Sequence, residues 1–334
     1  MIEDREINTI AQLQTAYRRK EVYSHMIRYD NQESLKQIFT LKGTIIKNIF
    51  KQIIVYTCIS ICIVLINYYF GIHINSTPWV IVGGALGLLL VFRTNTAYDR
   101  YWEGRKLFGG VGNSTRNLAV SFLCYWDSKG NTMDKEKLKF LHLLIAFPKL
   151  AKQHLRDEKN LSEIKDLLEL CSDKDKEMLV RSNYLPLTII FMLKAVITKG
   201  LKSGQLPPNT LMNMEDELDN LLNSIGGCDR IKATPIPFAY YAHIKSLLII
   251  FCGTLSIGLV DSMGWFTIMA TMFISFAFLG IEAIGVEIED PFGQDSNDLP
   301  LEEICMGIEK HLLNLYDQSD LLESPVSNFD KRAI

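Results

Sequence analysis

Residues 52–92 read QIIVYTCISICIVLINYYFGIHINSTPWVIVGGALGLLLVF and contain no Asp, Glu, Lys or Arg. The hydrocarbon core of a bilayer is about 30 Å thick, and one helical crossing takes about 20 apolar residues. This run of 41 residues is therefore long enough for two crossings. Gly71 and Pro78 mark a break near its middle, where Ser76 or Thr77 is a candidate cap for the second helix. The run predicts a membrane hairpin, and hence a function exercised across a membrane.

A second weakly charged stretch extends from Ser246 to Ile281, and Asp261 is its single charged residue. We expect one crossing from about Phe238 to Val260 and another from about Trp265 to Ile281. The predicted fold class is an all-α membrane protein with four transmembrane helices per subunit and a helical cytosolic domain. The expected divisions are an N-terminal segment 1–51, hairpin one 52–92, the cytosolic domain 93–236, hairpin two 237–281 and an acidic C-terminal segment 282–334.

The charges are unevenly distributed along the chain. Lys and Arg exceed Asp and Glu by three in residues 1–51 and by four in residues 93–232, whereas residues 282–334 have a net charge of −10. The hairpin loops 71–78 and 261–264 contain no Lys or Arg. By the positive-inside rule, both termini and the middle domain are cytoplasmic. We expect the acidic segment to pack on the basic middle domain, with a solvated acidic tail as the alternative.

The periodicity of the middle domain and tail predicts helices throughout. The second membrane helix is expected to continue from Arg93 towards Trp126. Further predicted segments are Lys135 to Leu155, Leu161 to Leu170, a helix starting at Ser172, a helix from Pro186 to Ser203 that stops at Gly204, a helix capped by Asn209 or Thr210 that ends at Gly226-Gly227, and a tail helix from Leu301 to Leu315 before a polar end.

No motif for catalysis or metal binding is present in the sequence. The six histidines are scattered, and there is no HExxH, P-loop or G-x-S-x-G motif. The seven cysteines include no C-x-x-C pair, so neither disulfides nor zinc are expected. No apolar h-region follows Met1, so no cleaved signal peptide is expected. We therefore do not expect the chain to be an enzyme, and we expect no catalytic residue, no bound metal, no cofactor and no nucleic-acid partner.

The second membrane helix has two features that bear on function. Gly83 and Gly87 form a G-x-x-x-G pair that lets helices approach closely, and Gly84 widens this notch. One face of the helix carries a residue at every fourth position: Gly84, Leu88, Phe92 and Thr96. If several copies surround an axis, that face lines a narrow apolar constriction of the kind that gates by dewetting. The alternative is that Leu88 and Phe92 face lipid or a neighbouring helix.

Three blocks of sequence resemble the bestrophin channels, in their prokaryotic branch. They are FRTNTAYDRYWEGRKLFG at 92–109, GGCDR at 226–230 followed by TPIPFAY at 234–240, and EDPFG at 289–293 followed by NDLPL at 297–301. The resemblance covers residues 26–323 and leaves the first 25 residues unexplained. It implies a homopentamer around one axial pore, with a hydrophobic neck in the membrane and a second restriction, the aperture, at the cytosolic end.

The resemblance also assigns positions. The neck falls on Gly84, Leu88 and Phe92, and the cytosolic aperture falls on Asn209. The outermost neck position is usually a bulky hydrophobe, so Gly84 leaves two tight rings. The aperture is usually aliphatic, whereas an amide offers both N–H and C=O to an ion. Both departures favour leakier conduction.

Animal bestrophins hold calcium after the Pro-Phe-Gly block. Asp295 and Asp298 match two of those acidic positions and are a possible cation contact. Gln294, Ser296 and Asn297 replace other acidic residues, and this missing charge argues against calcium control. From the residues alone, a capped turn is favoured over a cation site here.

The implied function is a channel in the cell membrane that passes monovalent ions, chiefly chloride. The expected partners are four further copies of the chain, the lipid bilayer and the permeant ions. A monovalent cation channel of the same architecture is the alternative, because the neck positions are uncharged. More distant alternatives are a secondary transporter and a membrane-anchored scaffold. Lys245 and Asp261 lie at crossing ends, which disfavours a transporter with charges at the membrane midplane.

Overall fold

The computed structural model describes residues 43–71, 73–128 and 135–319, and these residues contain α-helices and no strand. The predictions for the first 42 residues and for the polar end after residue 319 concern residues outside this range. The helices are α1 (Ile46–Phe70), α2 (Thr77–Tyr125), α3 (Lys135–Leu155), α4 (Asp173–Arg181), α5 (Leu185–Lys202), α6 (Leu211–Ala233), α7 (Phe238–Met263), α8 (Thr267–Glu287) and α9 (Leu301–Ser319).

The helices belong to two compact units. The hairpin unit contains residues 43–103 and 233–298, and the polar unit contains residues 104–232 and 299–319. Helix α2 contributes to both, since it runs without interruption for 49 residues. The prediction that the second apolar helix continues into the polar part of the chain is confirmed.

Three helical stretches are long and apolar enough to cross a membrane: Ile46–Phe70, Thr77–Tyr125 and Phe238–Glu287. The third has 50 residues and is interrupted at a 3₁₀ turn, Gly264–Phe266, where Gly264 has φ +51°. Gly71 ends α1 with φ +62°. Both φ values lie in the left-handed region that favours glycine. The two predicted hairpin breaks are therefore confirmed, whereas the number of crossings stays a prediction.

Glycines in α2 accommodate aromatic rings of the hairpin unit. A Cβ on Gly83 would lie 3.0 Å from the Phe251 ring of α7, and one on Gly87 would lie 3.9 Å from Phe278 of α8. The G-x-x-x-G pair thus accommodates two aromatic side chains, and the close approach of a neighbouring helix at this pair stays a prediction. Among the described residues nothing lies within 4 Å of the Cβ position of Gly84, so its part in the notch stays a prediction. The core beside these rings contains Ile49, Tyr56, Leu86, Leu90, Ile244, Leu248, Cys252, Leu255 and Leu279.

In the polar unit, the acidic helix α9 packs on the basic helix α3. Lys149 forms an ion pair with Glu309 at 2.9 Å, and Arg156 pairs with Glu302. Burial raises the pKa of Glu302, but the hydrogen bonds from Arg156 and from the Glu302 backbone, together with the charges of Arg156 and Lys152, outweigh it, so the net shift is downward. The predicted packing of the acidic segment on the middle domain is confirmed for this helix.

Two boundary predictions in the polar unit are wrong. Residues 161–170 do not form one helix but two short 3₁₀ turns, Leu161–Ile164 and Asp166–Leu168. Helix α6 does not end at Gly226-Gly227 but continues to Ala233. The reason is packing, because a Cβ on Gly227 would lie 2.7 Å from Leu107 Cδ2. Gly227 thus serves close approach between helices rather than termination.

We predict that Gly227→Ala destabilises the protein whereas Gly226→Ala does not. Alanine at 227 forces Leu107 aside, at a cost of about 1–3 kcal/mol for overpacking. At 226 a Cβ meets nothing within 4 Å, and alanine favours a helix over glycine by about 1 kcal/mol. The measurement is the apparent Tm of each variant in detergent at one scan rate. Equal Tm values would contradict the close-approach interpretation.

A neutral histidine is buried in α3. His142 is 1% exposed, and burial lowers its pKa to about 4. Because an unfolded chain restores a pKa near 6.5, the unfolded state takes up a proton between about pH 6.5 and 4 while the native state does not. His142 therefore does not lower the free energy of unfolding above about pH 6.5, but it lowers it increasingly as the pH drops towards 4.

We predict that His142→Leu flattens this pH dependence. The wild type loses on the order of 3 kcal/mol from this histidine between pH 6.5 and 4, and the variant does not. The measurement is the apparent Tm of both proteins across that range, taken as a difference so that carboxylate titration cancels. A difference in Tm that is constant with pH would show that His142 does not contribute.

A candidate pore-facing surface and the charge cluster behind it

One side of α2 in the hairpin unit is not covered by any of the residues that the structure describes. Leu88 is 58% exposed and Phe92 is 57% exposed, and Gly84 and Thr96 are also exposed. Thr96 Oγ1 donates to the Phe92 carbonyl at 2.9 Å, which satisfies its hydroxyl within the helix. We call these four residues the candidate pore face. It contains no charge and ends in a hydroxyl, as the four-residue spacing predicts.

The opposite side of α2 is buried in the hairpin unit. Leu86, Leu90 and Ala97 are at most 1% exposed, and so is Arg93. Phe92 and Arg93 are neighbours in sequence, but successive residues on a helix point about 100° apart. The guanidinium is therefore buried about 100° around the helix from an exposed phenylalanine.

Arg93 is neutralised by carboxylates from the end of the second apolar stretch. Its Nη1 lies 2.8 Å from Glu282 Oε1 in α8, and its Nη2 lies 3.8 Å from Glu289 Oε2. Lys245 of α7 contacts the other Glu282 oxygen, with Nζ 2.8 Å from Oε2. The Arg93 guanidinium also lies 5.2 Å from the centre of the Tyr241 ring, a cation–π distance. We call Arg93, Lys245, Glu282 and Glu289 the charge cluster.

Glu289 connects this cluster to the segment before α7. Its Oε1 accepts the Ile236 N–H at 3.0 Å, and its carbonyl accepts Arg100 Nε at 3.1 Å. Arg100 also donates to the Thr234 carbonyl. Two arginines of α2 are thus held by one residue, Glu289.

The sequence pattern does not predict the charge cluster. The predicted divisions put Glu282 and Glu289 in the C-terminal segment, after the last crossing, and Lys245 at a crossing end. Glu282 instead lies inside α8 and is 3% exposed. A signal was available, because Arg93 and Glu282 each directly follow a long stretch with at most one charge. Pattern alone could not show that the two residues meet.

Asn209, the candidate aperture residue, is in the polar unit. It is exposed at the centre of a 3₁₀ turn, Pro208–Thr210, that precedes α6. The buried Thr210 donates to the Pro207 carbonyl at 2.7 Å, which stabilises the turn. The amide is therefore presented at the surface by a turn that two prolines stiffen. The role of Asn209 stays a prediction.

Asp295 and Asp298 form a turn in the hairpin unit. Asp298 is 4% exposed, and its Oδ2 accepts the Asp295 N–H at 2.7 Å, while the Asp298 N–H donates to the Asp295 carbonyl at 3.1 Å. Within the described residues, no group of three or more His, Cys, Asp or Glu is arranged to hold a metal ion. This geometry agrees with the capped turn, and a cation contact at the two aspartates stays a prediction.

Next to this turn is a polar cavity of about 330 Å³. It is bounded by α1, α7, α8 and the loop after α8, and Lys245 and Glu282 of the charge cluster contribute to its wall. The remaining polar lining consists of Asn48, Gln52, Tyr241, Glu287, Asp290, Asp295 and Asp298. The charge cluster therefore contacts α2 on one side and borders this cavity on the other.

Comparison with known proteins identifies the family. Residues 26–314 match the family described as Bacterial/Fungal Bestrophin protein. The chain belongs to the bestrophin family. A Nostoc protein named voltage-dependent anion channel-forming protein is 40% identical to this bestrophin over 293 residues, which are 86% of the chain and 92% of the relative. A Synechocystis protein of the same name is 36% identical over 82% and 89% of the two chains.

Solved structures agree with this assignment. The bestrophin resembles the crystal structure of a bacterial bestrophin homolog from Klebsiella pneumoniae with a TM-score of 0.73 and 29% identity, over 80% of this chain and 98% of the homolog. A variant of the homolog gives a TM-score of 0.74 at 30% identity. The predicted resemblance to bestrophins and the all-helical class are confirmed.

Proposed function

We propose that this bestrophin is a homopentameric channel in the cell membrane that conducts monovalent anions, chiefly chloride. The observation that carries the proposal is the candidate pore face: an uncharged row on α2, the 49-residue helix, that no part of residues 43–71, 73–128 and 135–319 covers. The relatives named as anion channel-forming proteins support the choice of anions.

Each subunit is proposed to cross the membrane four times. The crossings are α1, the first part of α2, α7 and α8. The stretch Phe238–Glu287 supports two of them, because its 50 residues exceed the roughly 20 that one crossing needs and it breaks at Gly264. Both termini are then cytoplasmic, in accordance with the distribution of Lys and Arg.

The neck is proposed to consist of rings of Leu88 and Phe92, with Gly84 as a wider outer ring. Apolar rings gate by dewetting, because a narrow apolar passage does not hold water. The aperture is proposed to be a ring of Asn209 amides, which can hydrate or contact an ion with N–H and C=O groups. Since neither restriction carries a charge, the sign of the permeant ion has to be measured.

The test is the reversal potential of the purified protein in planar bilayers under asymmetric potassium chloride. We expect a shift towards the equilibrium potential of chloride. A shift towards potassium would assign cation conduction to the same architecture. Protein-containing bilayers without any current above the protein-free control would refute the channel, and saturable flux without discrete current steps would indicate a transporter.

We predict that Phe92→Ala raises single-channel conductance by about twofold or more, because it removes one of the two proposed apolar rings. The matched control is Phe273→Ala, a phenylalanine of α8 that is 73% exposed and lies outside the candidate pore face. It should leave the conductance unchanged. Equal effects of the two substitutions would argue against a neck at Phe92.

We predict that Asn209→Ile lowers conductance, because it replaces a wettable amide by a branched apolar side chain. Asn209→Gln retains the amide and is the control, expected to conduct like the wild type. Single-channel recording at several voltages checks both. Wild-type currents in Asn209→Ile would exclude this residue from the conduction path.

A further inference from the structure

We propose that the charge cluster is a positioning device for the neck: it sets the rotation of α2 about its axis and thereby holds Leu88 and Phe92 on the pore side. This inference rests on the proposed channel function. Its residues do not touch the ion. They act through the helix that presents the neck.

The first argument is adjacency. Arg93 is 1% exposed and directly follows Phe92, which is 57% exposed. Side-chain directions on a helix are fixed relative to one another. Any contact that fixes the direction of Arg93 therefore fixes the direction of Phe92 and of Leu88, one turn earlier.

The second argument is that the guanidinium is held from several sides. Glu282 binds it from α8, Glu289 from the segment after α8, and Tyr241 from the face of its ring in α7. Lys245 occupies the second oxygen of Glu282, so that this carboxylate is itself held in place. One turn of α2 is therefore clamped to α7, α8 and the segment that follows α8.

The third argument is energetic. A buried ion pair is weak support for stability, because desolvation of both charges offsets their attraction. Arg93 is also incompletely satisfied, since its Nε and Nη2 form no hydrogen bond within the described part of the chain. Apolar residues of similar volume would fill this space at lower cost. The Arg93–Glu282 contact contributes little stability but has a defined direction, so it is suited to setting the orientation of α2.

The fourth argument is the sensitivity of a constriction to rotation. A helix with side chains has a radius of about 5–6 Å, so a turn of about 20° moves a side-chain tip by roughly 2 Å. That is comparable to the width of a narrow apolar passage. Loosening the cluster should therefore change conduction without any change at the neck residues themselves.

The experiment is a double-mutant cycle between Glu282→Gln and Phe92→Ala, with single-channel conductance and open probability measured in planar bilayers. Glu282→Gln should change at least one of these quantities by about threefold or more in the wild-type background. In the Phe92→Ala background, where the Phe92 ring is absent and the Leu88 ring is left, the change should be clearly smaller, less than about twofold. A merely structural role of Glu282 would not produce this dependence on Phe92.

The matched control is Glu309→Gln, which removes the carboxylate of another mostly buried pair, Lys149–Glu309, in the polar unit. It should leave both quantities unchanged. If Glu282→Gln does not assemble, Glu282→Asp replaces it in the same cycle, because it keeps the charge and shortens its reach. Equal effects in both backgrounds, or no effect of an assembled variant, would overturn the positioning role. A silent wild type would instead refute the proposed channel.

Discussion

The hairpin unit depends on one constraint: a guanidinium buried in an apolar helix bundle has to meet a carboxylate. Arg93 meets Glu282 at 2.8 Å, and that contact joins α2 to α8 across 189 residues of sequence. Leu86 and Leu90 pack on the same side of α2 as Arg93. With this side buried, the uncharged row of Gly84, Leu88, Phe92 and Thr96 has to face away from the bundle.

The polar unit also pairs its charges, but it does so in a different arrangement. There, α3 and α9 carry opposite charges and pair at Lys149–Glu309, and Arg156, directly after α3, pairs with Glu302 of α9. The hairpin unit has few charges and gathers four of them in one cluster. The polar unit distributes its ion pairs along a helix interface. Between apolar helices no water solvates an isolated charge, so each charge needs a partner there. Between partly exposed helices, water screens the charges, so many of them can be accommodated.

Much of the fold could be predicted because the signals are local. The two glycine-marked breaks, the start of α4 at the Ser172 capping box and the bounds of α3 follow from punctuation and periodicity. The end of α6 could not be predicted, since a glycine that stops a helix and a glycine that admits a neighbouring leucine look alike in sequence. Gly227 belongs to the second kind because Leu107 packs against it.

For the candidate site, sequence pattern is enough to predict which residues of α2 share an uncharged face, because the period of a helix is fixed by its hydrogen bonds. It could not determine which face would be buried, nor that Arg93, Lys245 and Glu282 would meet. Those contacts join residues far apart in the chain, and only the packing of α2 against α7 and α8 brought them together. These contacts depend on the tertiary structure, because a buried charge is tolerated only where a group from another helix neutralises it.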